Sequence, residues 1–298
     1  MTAVSIMGAV EIGLIFALVA LGVWISFRVL NFPDLTADGS FPLGGAVAAV
    51  LIVAGHNPWL ACLAACAAGA AAGWLTSWLH IRLGIMQLLA SILTMIALYS
   101  INLRIMDAPN VPLLGEATVF LPFVSDDNGY WVQPLVLLGI VLAVKCVLDW
   151  FFNSQIGLAL RATGANARMA CAQGIATGRY TMAGMALSNA LIALAGALYV
   201  QTQGGADISM GIGTIVIGLA AVIIGETLLP SRRIWIVTLA VVLGAVLYRL
   251  FITLALEADF IGLQAQDLNL ITAVLVGLAL VLPKIKAKLL RKPGGQQP

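Results

Sequence analysis

The chain has 298 residues, of which 61% are hydrophobic and only 9% charged, with a mean hydropathy of +1.04 and a net charge of +2. A soluble domain carries about 25% charged residues, so this composition excludes one and describes an integral membrane protein. The small net charge gives no footing for nucleic acid, and the basic residues cluster by position, as topology signals do.

About 20 apolar residues make one crossing of a bilayer. On that measure spans are expected near 8–29, 41–54, 59–79, 86–105, 131–152, 181–200, 211–229, 235–255 and 267–283. The expected fold is an all-α polytopic bundle, a single transmembrane domain over residues 1–298, with about nine helices (8–10). The first stretch lacks a basic n-region and a clear small-residue cleavage site, which marks a retained span rather than a signal peptide. The second is short and introduced by Pro33 and Pro42, which predicts a half-helix or re-entrant segment. Cys62, Cys66, Cys146 and Cys171 sit among alanines, leucines and valines without a Cys-x-x-Cys pair, a pattern of packing rather than of metal or redox chemistry.

The connections sort into two classes that alternate along the chain. His80 and Arg82, then Arg161, Arg168 and Arg179, then Arg232 and Arg233, and finally the tail with Lys284, Lys286, Lys288, Arg291 and Lys292 are basic. Asp107, Glu116, Asp126 and Asp127, the turn at Asp207, and Glu257, Asp259 and Asp267 stand in loops without Lys or Arg. The positive-inside rule puts the basic class, including the C-terminus, in the cytoplasm, and an odd number of spans puts the N-terminus outside. The tail over 284–298 is expected to lie against anionic headgroups.

Gly69 and Gly73 form a Gly-x-x-x-Gly pair, and Gly211, Gly218 and Gly225 recur every seventh residue. Such faces let helices approach closely, within one subunit or at a dimer seam. There is also an internal echo. Asp34-Leu35-Thr36 leads into Asp38, Ser40, Gly44 and Gly45, and Asp207-Ile208-Ser209 leads into Gly211 and Gly218. Lying five spans apart, the copies would face opposite sides of the membrane, as inverted transporter repeats with broken helices do.

Catalytic constellations are missing. There is no His-Glu-x-x-His, no Gly-Lys pair for a phosphate loop and no Gly-x-Ser-x-Gly elbow. No metal site or cofactor is expected on this chain. Polar groups at membrane depth are the remaining candidates for function, because they are costly to keep there. Glu11 either lines a pathway or snorkels outward. Asp34, Thr36, Asp38 and Ser40 form the densest polar cluster, either on the path or capping a cytoplasmic turn. Asp207 and Ser209 join them through the echo. Ser91, Thr94, Ser100 and Asn102 dot the fourth span, Ser188 and Asn189 the sixth, and single hydroxyls commonly bond their own helix. Arg249 either snorkels or pairs with Glu257.

The polar segment 155–179 contains a helix of its own. Asn166 is a good N-cap, Ala167 to Gln173 favour helix, and Gly174 stands where a helix stops. Its sequence, Arg161-Ala162-Thr163-Gly164-Ala165-Asn166 followed by Ala170 and Gly174-Ile175, resembles the cytoplasmic coupling loop of ABC importer permeases of the branched-chain amino-acid and ribose class. Gly184 through Leu194-Ala195-Gly196-Ala197-Leu198 is similar to the span that follows it in that family. Asn31 through Gly44 is similar to a subgroup labelled for tryptophan or tyrosine and otherwise uncharacterised.

The resemblance implies a permease subunit with no catalysis of its own, in the inner (plasma) membrane, paired with a second copy. It implies cytoplasmic ATPase subunits that hold ATP and Mg, and an extracytoplasmic binding protein that delivers a small solute such as an amino acid. Carried over by position, Asn166, Ala167, Arg168, Met169 and Ala170 would lie at the ATPase contact, with Arg161 beside it. The rival readings are an ion-coupled secondary transporter or channel using acids such as Glu11 and Asp34, and an intramembrane enzyme, which the missing catalytic sets disfavour.

Overall fold

A computed structural model describes residues 3–123 and 129–257, together with Gly277. Helix α1 (Ala3–Val23) runs on into a π-helical stretch, Trp24–Val29, and is followed by α2 (Ala37–Val53), α3 (Pro58–Leu83) and α4 (Gln87–Met106). After strand β1 (Asn110–Pro112) come α5 (Gly129–Asn153), the paired short helices α6 (Gln155–Ala165) and α7 (Ala167–Ala172), and α8 (Thr177–Gln203). Strand β2 (Gly205–Asp207), α9 (Thr214–Leu228) and α10 (Ile234–Glu257) complete the described fold. The two strands pair antiparallel with Val111 opposite Ala206.

Each of the eight expected spans that falls on described residues meets a helix, but they are of two kinds. Six helices among the described residues are long and apolar enough to cross a membrane, whereas α2 and α9 are shorter. At 17 and 15 residues, they reach about 26 and 22 Å, less than the roughly 30 Å of hydrocarbon. Each of these helices follows one of the echoed triplets, Asp34-Leu35-Thr36 before α2 and Asp207-Ile208-Ser209 before α9. The ninth expected span, 267–283, lies outside the described residues, as do the basic tail, Asp259, Asp267, Asp126 and Asp127.

Helix ends follow local chemistry. Asn57 caps α3 by accepting the Trp59 N–H at 2.9 Å, with Pro58 in the first turn, where no intrahelical partner is lost. Pro42 does not introduce α2 but lies inside it, since the helix starts at Ala37. Having no N–H, Pro42 leaves the Asp38 carbonyl without its helical donor. That carbonyl and the Pro42 ring face Gly211, where a Cβ would collide with both.

Helix α1 is the axis of the core, buried without interruption from Gly13 to Ser26. Helices α3 and α8 make the most extensive contact, and glycine is what permits it. A Cβ on Gly73 would run into the Met185 carbonyl, and one on Gly69 into the Asn189 carbonyl. Gly218 likewise meets Val23 of α1, and Gly225 meets the Ala240 carbonyl of α10. The small-residue faces therefore close contacts within the subunit. Helices α4 and α5 are the least covered of the long helices.

Candidate functional site

Three polar regions can be built from the residues upward. The first is a sealed network where the chain leaves α1, turns at Asn31 (φ +52°) and enters α2. Asp34 accepts the Thr36 N–H at 2.9 Å through one carboxylate oxygen and the Asn189 amide at 2.8 Å through the other. Ser40 donates to the Asn189 oxygen at 2.7 Å. The hydroxyls of Thr36 and Thr76 meet at 2.9 Å. All five side chains are buried. Asn189 lies twelve positions into α8, about 18 Å along its axis, so the network is deep. Asp34, Thr36 and Ser40 thus spend their hydrogen bonds on joining α2, α3 and α8, as buried polar groups must.

The second region lies where the two short helices meet. Gly213, at φ +85°, occupies the N-cap position of α9 and has no side chain with which to cap it. Asp38, from the first turn of α2, does so from another helix. Its Oδ1 accepts the Thr214 hydroxyl and the Ile215 N–H, each at 2.8 Å, and Oδ2 takes a long contact of 3.4 Å from the Gly213 N–H. A carboxylate there satisfies orphan donors and opposes the positive end of the helix dipole.

Beside this junction is a cavity of about 500 Å³ between α2, α4 and the segment leading into α9. Asp38, Tyr99, Ser100, Asn102 and Ser209 supply its polar lining, and Pro42, Met95, Ile96, Ile208 and Ile212 its apolar walls. The size suits a small-molecule site, which typically spans about 300–1,000 Å³. Asn102 is 1% exposed. Its Nδ2 donates to the Gly39 carbonyl at 3.2 Å, while its Oδ1 is buried with no partner among the described residues. Leaving such an acceptor unpaired costs about 1–3 kcal/mol.

The third region is the pair of short helices α6 and α7. Leu160 of α6 is fully buried, and Gly164 packs so closely on the Val29 carbonyl that a Cβ would collide with it. Helix α6 is thereby pressed on the end of the π-helical stretch. Asn166 ends α6 and caps α7, accepting the Met169 N–H at 3.0 Å. The chain then turns at Gly174 with φ +82°. Asn166, Ala167, Arg168 and Met169 are exposed, and Ala170 is buried. Arg161 is half-buried beside a smaller pocket that Arg28, itself paired with Glu226, and Arg232 also line.

The residues expected to line one path are therefore dispersed. Asp38 and Ser209 reach the cavity, and Asp34, Thr36 and Ser40 belong to the sealed network. Asp207 accepts the Ser209 N–H at 2.7 Å and also its hydroxyl, an Asx turn at the end of β2. Glu11 is half-buried on α1 and has no hydrogen bond or ion pair among the described residues. Arg249 forms no ion pair there. The partnership of Asn189 with Asp34 and the free acceptor on Asn102 had no local signal in the sequence, whereas α6 had one in its N-cap, Ser154, whose hydroxyl accepts the Gly157 N–H at 3.4 Å. The clue available for the two asparagines was that both are amides inside apolar helices, Asn189 midway along α8 and Asn102 in the last turn or so of α4.

Six candidate membrane spans, a buried polar seam and a cavity at a junction of two shorter helices, among the described residues, make a multi-pass membrane bundle. Residues 5–283 match the family described as branched-chain amino acid transport system / permease component, and the chain belongs to that family of ABC transport permeases. It is 38% identical to a tyrosine transport system permease protein of Clostridioides difficile, over 94% of both chains. It is 34% identical to an uncharacterized protein of Rickettsia prowazekii, over 91% of this chain and 95% of that one. Among solved structures it has a distant likeness to PsaBC from Streptococcus pneumoniae in complex with Fab, at 14% identity and TM-score 0.41, over 83% of this chain and 88% of that chain.

Proposed function

We propose that the chain is the membrane subunit of an ABC importer in the inner membrane, with its C-terminus in the cytoplasm. It forms the path for a small solute, an amino acid or similar, delivered by an extracytoplasmic binding protein. Separate ATPase subunits, carrying ATP and Mg, drive it through α7, and two copies pair around the path. Family membership supports the machinery. The name of the Clostridioides difficile relative makes L-tyrosine the first solute to test, and the apolar walls of the cavity suit an aromatic side chain.

The observation that carries the reading is mechanical. Helix α7 offers Arg168 and Met169 to the outside while Ala170 faces inward, and α6 ties it to the end of α1 through the Gly164–Val29 contact. Force applied at Arg168 would pass through the single extended residue Asn166 to α6 and from there to the π-helical stretch that continues α1. Movement of α1 carries the Arg28–Glu226 pair, and through it the end of α9. Because Asp38 locks the other end of α9 to α2, shifting α9 reshapes the cavity wall. The ion-coupled reading keeps Glu11 as its candidate, since both oxygens of Asp34 are engaged by hydrogen bonds deep in the bundle.

The test is affinity capture of the ATPase from the same transport system by the detergent-solubilised permease. Capture is expected for the wild type and lost for Arg168→Glu, while both permeases elute identically from a sizing column. Equal capture by Arg168→Glu would move the contact elsewhere.

A further inference from the structure

Two of the residues that line the cavity, Asn102 and Asp38, have buried or partly used acceptor oxygens, the hydroxyls of Tyr99 and Ser100 line it too, and no lysine, arginine or histidine does. Asn102 Oδ1 has no donor at all. Asp38 Oδ2 has only the long contact from the Gly213 N–H at 3.4 Å, because the cap of α9 rests on Oδ1. Both oxygens belong to one corner, since the Asn102 amide is anchored to the Gly39 carbonyl, next along the chain from Asp38. Asn102 Nδ2 is thus committed to holding the side chain in place, and Oδ1 is the acceptor that this orientation leaves over. The remaining lining is apolar, from Met95 and Ile96 of α4 and from Ile208 and Ile212. The hydroxyl of Ser209 is already given to Asp207.

We propose that Asn102 is a solute-binding residue whose side-chain oxygen, with Asp38 beside it, accepts the ammonium group of an amino acid passing through the cavity. The proposal rests on the importer reading above and assigns that reading a contact. An ammonium carries three donors and one positive charge, which matches one empty acceptor and one partly used carboxylate. An anionic group would meet the Asp38 carboxylate and no cation, with only the Tyr99 and Ser100 hydroxyls to donate to it. The solute's side chain then lies along the apolar walls.

The experiment uses the assembled permease–ATPase complex in lipid nanodiscs, without binding protein. Saturation-transfer NMR reads contact with three probes: L-tyrosine, tyramine (ammonium without carboxylate) and 3-(4-hydroxyphenyl)propionate (carboxylate without ammonium). Tyrosine and tyramine are expected to give signal and the propionate about tenfold less or none, because a site built around a buried polar group rejects the analogue that leaves it unpaired. Asn102→Leu is expected to lower the tyrosine signal about tenfold. Asn102→Asp, which keeps acceptor oxygens but loses the donor to Gly39, is expected to restore it.

A purely structural role would make Asp fail as Leu does, since neither can donate to the Gly39 carbonyl, and that outcome overturns the proposal. So does equal signal from the propionate, or an unchanged signal in Asn102→Leu, which would mean that water alone fills the corner. ATP-driven uptake by the wild-type complex with its binding protein separates the two levels. Uptake that persists at full rate in Asn102→Leu sinks the contact only. Absence of uptake of any amino acid by the wild type sinks the importer reading, and the contact with it.

Discussion

The network around Asp34 and the cavity around Asn102 stand on opposite sides of α2 and use similar chemistry, a carboxylate and an amide below the surface of an apolar bundle. They differ in how completely that chemistry is used. Around Asp34 both carboxylate oxygens and both ends of the Asn189 amide are engaged, and four segments of the chain converge on them. Around Asn102 one end of the amide is held and the other is left over. A buried polar group that has found all its partners builds the fold, whereas one held in position with a valence unspent is available for a ligand.

Substitutions can break this contrast, beginning with the sealed side. Asn189→Leu strands Asp34 Oδ2 and the Ser40 hydroxyl together, and is expected to cost about 3–5 kcal/mol, seen as a large drop in thermal unfolding temperature in detergent. A change within about 1 kcal/mol would mean that the network is not what joins α2 to α8. Asp38→Ala removes the cap that α2 supplies to α9 and should cost about 1–2 kcal/mol by the same measurement.

Asn102→Leu is expected to be nearly neutral, within about 1 kcal/mol. It gives up one hydrogen bond and also removes an unpaired acceptor. A loss as large as that of Asn189→Leu would erase the distinction between the two regions. Arg168→Glu, on the exposed face of α7, should shift stability by no more than about 0.5 kcal/mol, so that any loss of ATPase capture reports on contact and not on folding.

What could be read from the sequence was what short-range chemistry controls. The cap at Asn166 and the stop at Gly174 work within a few residues, and α7 stands where they put it. The apolar runs likewise gave the places of eight helices among the described residues, six of them long enough to cross a membrane, because lipid demands length and apolarity wherever a helix crosses. Helix α6 was half legible. Ser154 is a good N-cap and does cap it, but Arg161, Thr163 and Gly164 look like a polar loop. The packing of Leu160 and Gly164 that holds the helix down is tertiary.

The polar cluster was visible and its division was not. Asp34 and Asp38 are four residues apart, yet one partners Asn189 and the other caps α9, 155 and 176 positions away. Pro42 misled for a related reason. Its break in hydrogen bonding is absorbed inside α2, where the Asp38 carbonyl lies against Gly211.

The central claim, that a motor on other chains moves this bundle through α7, is tested most directly by uptake of labelled L-tyrosine into proteoliposomes. The vesicles hold the permease and its ATPase, with binding protein outside and ATP inside. The account predicts accumulation that requires internal ATP, survives ionophores and disappears in Arg168→Glu. Uptake that proceeds without ATP and collapses when the ion gradient is discharged would contradict it.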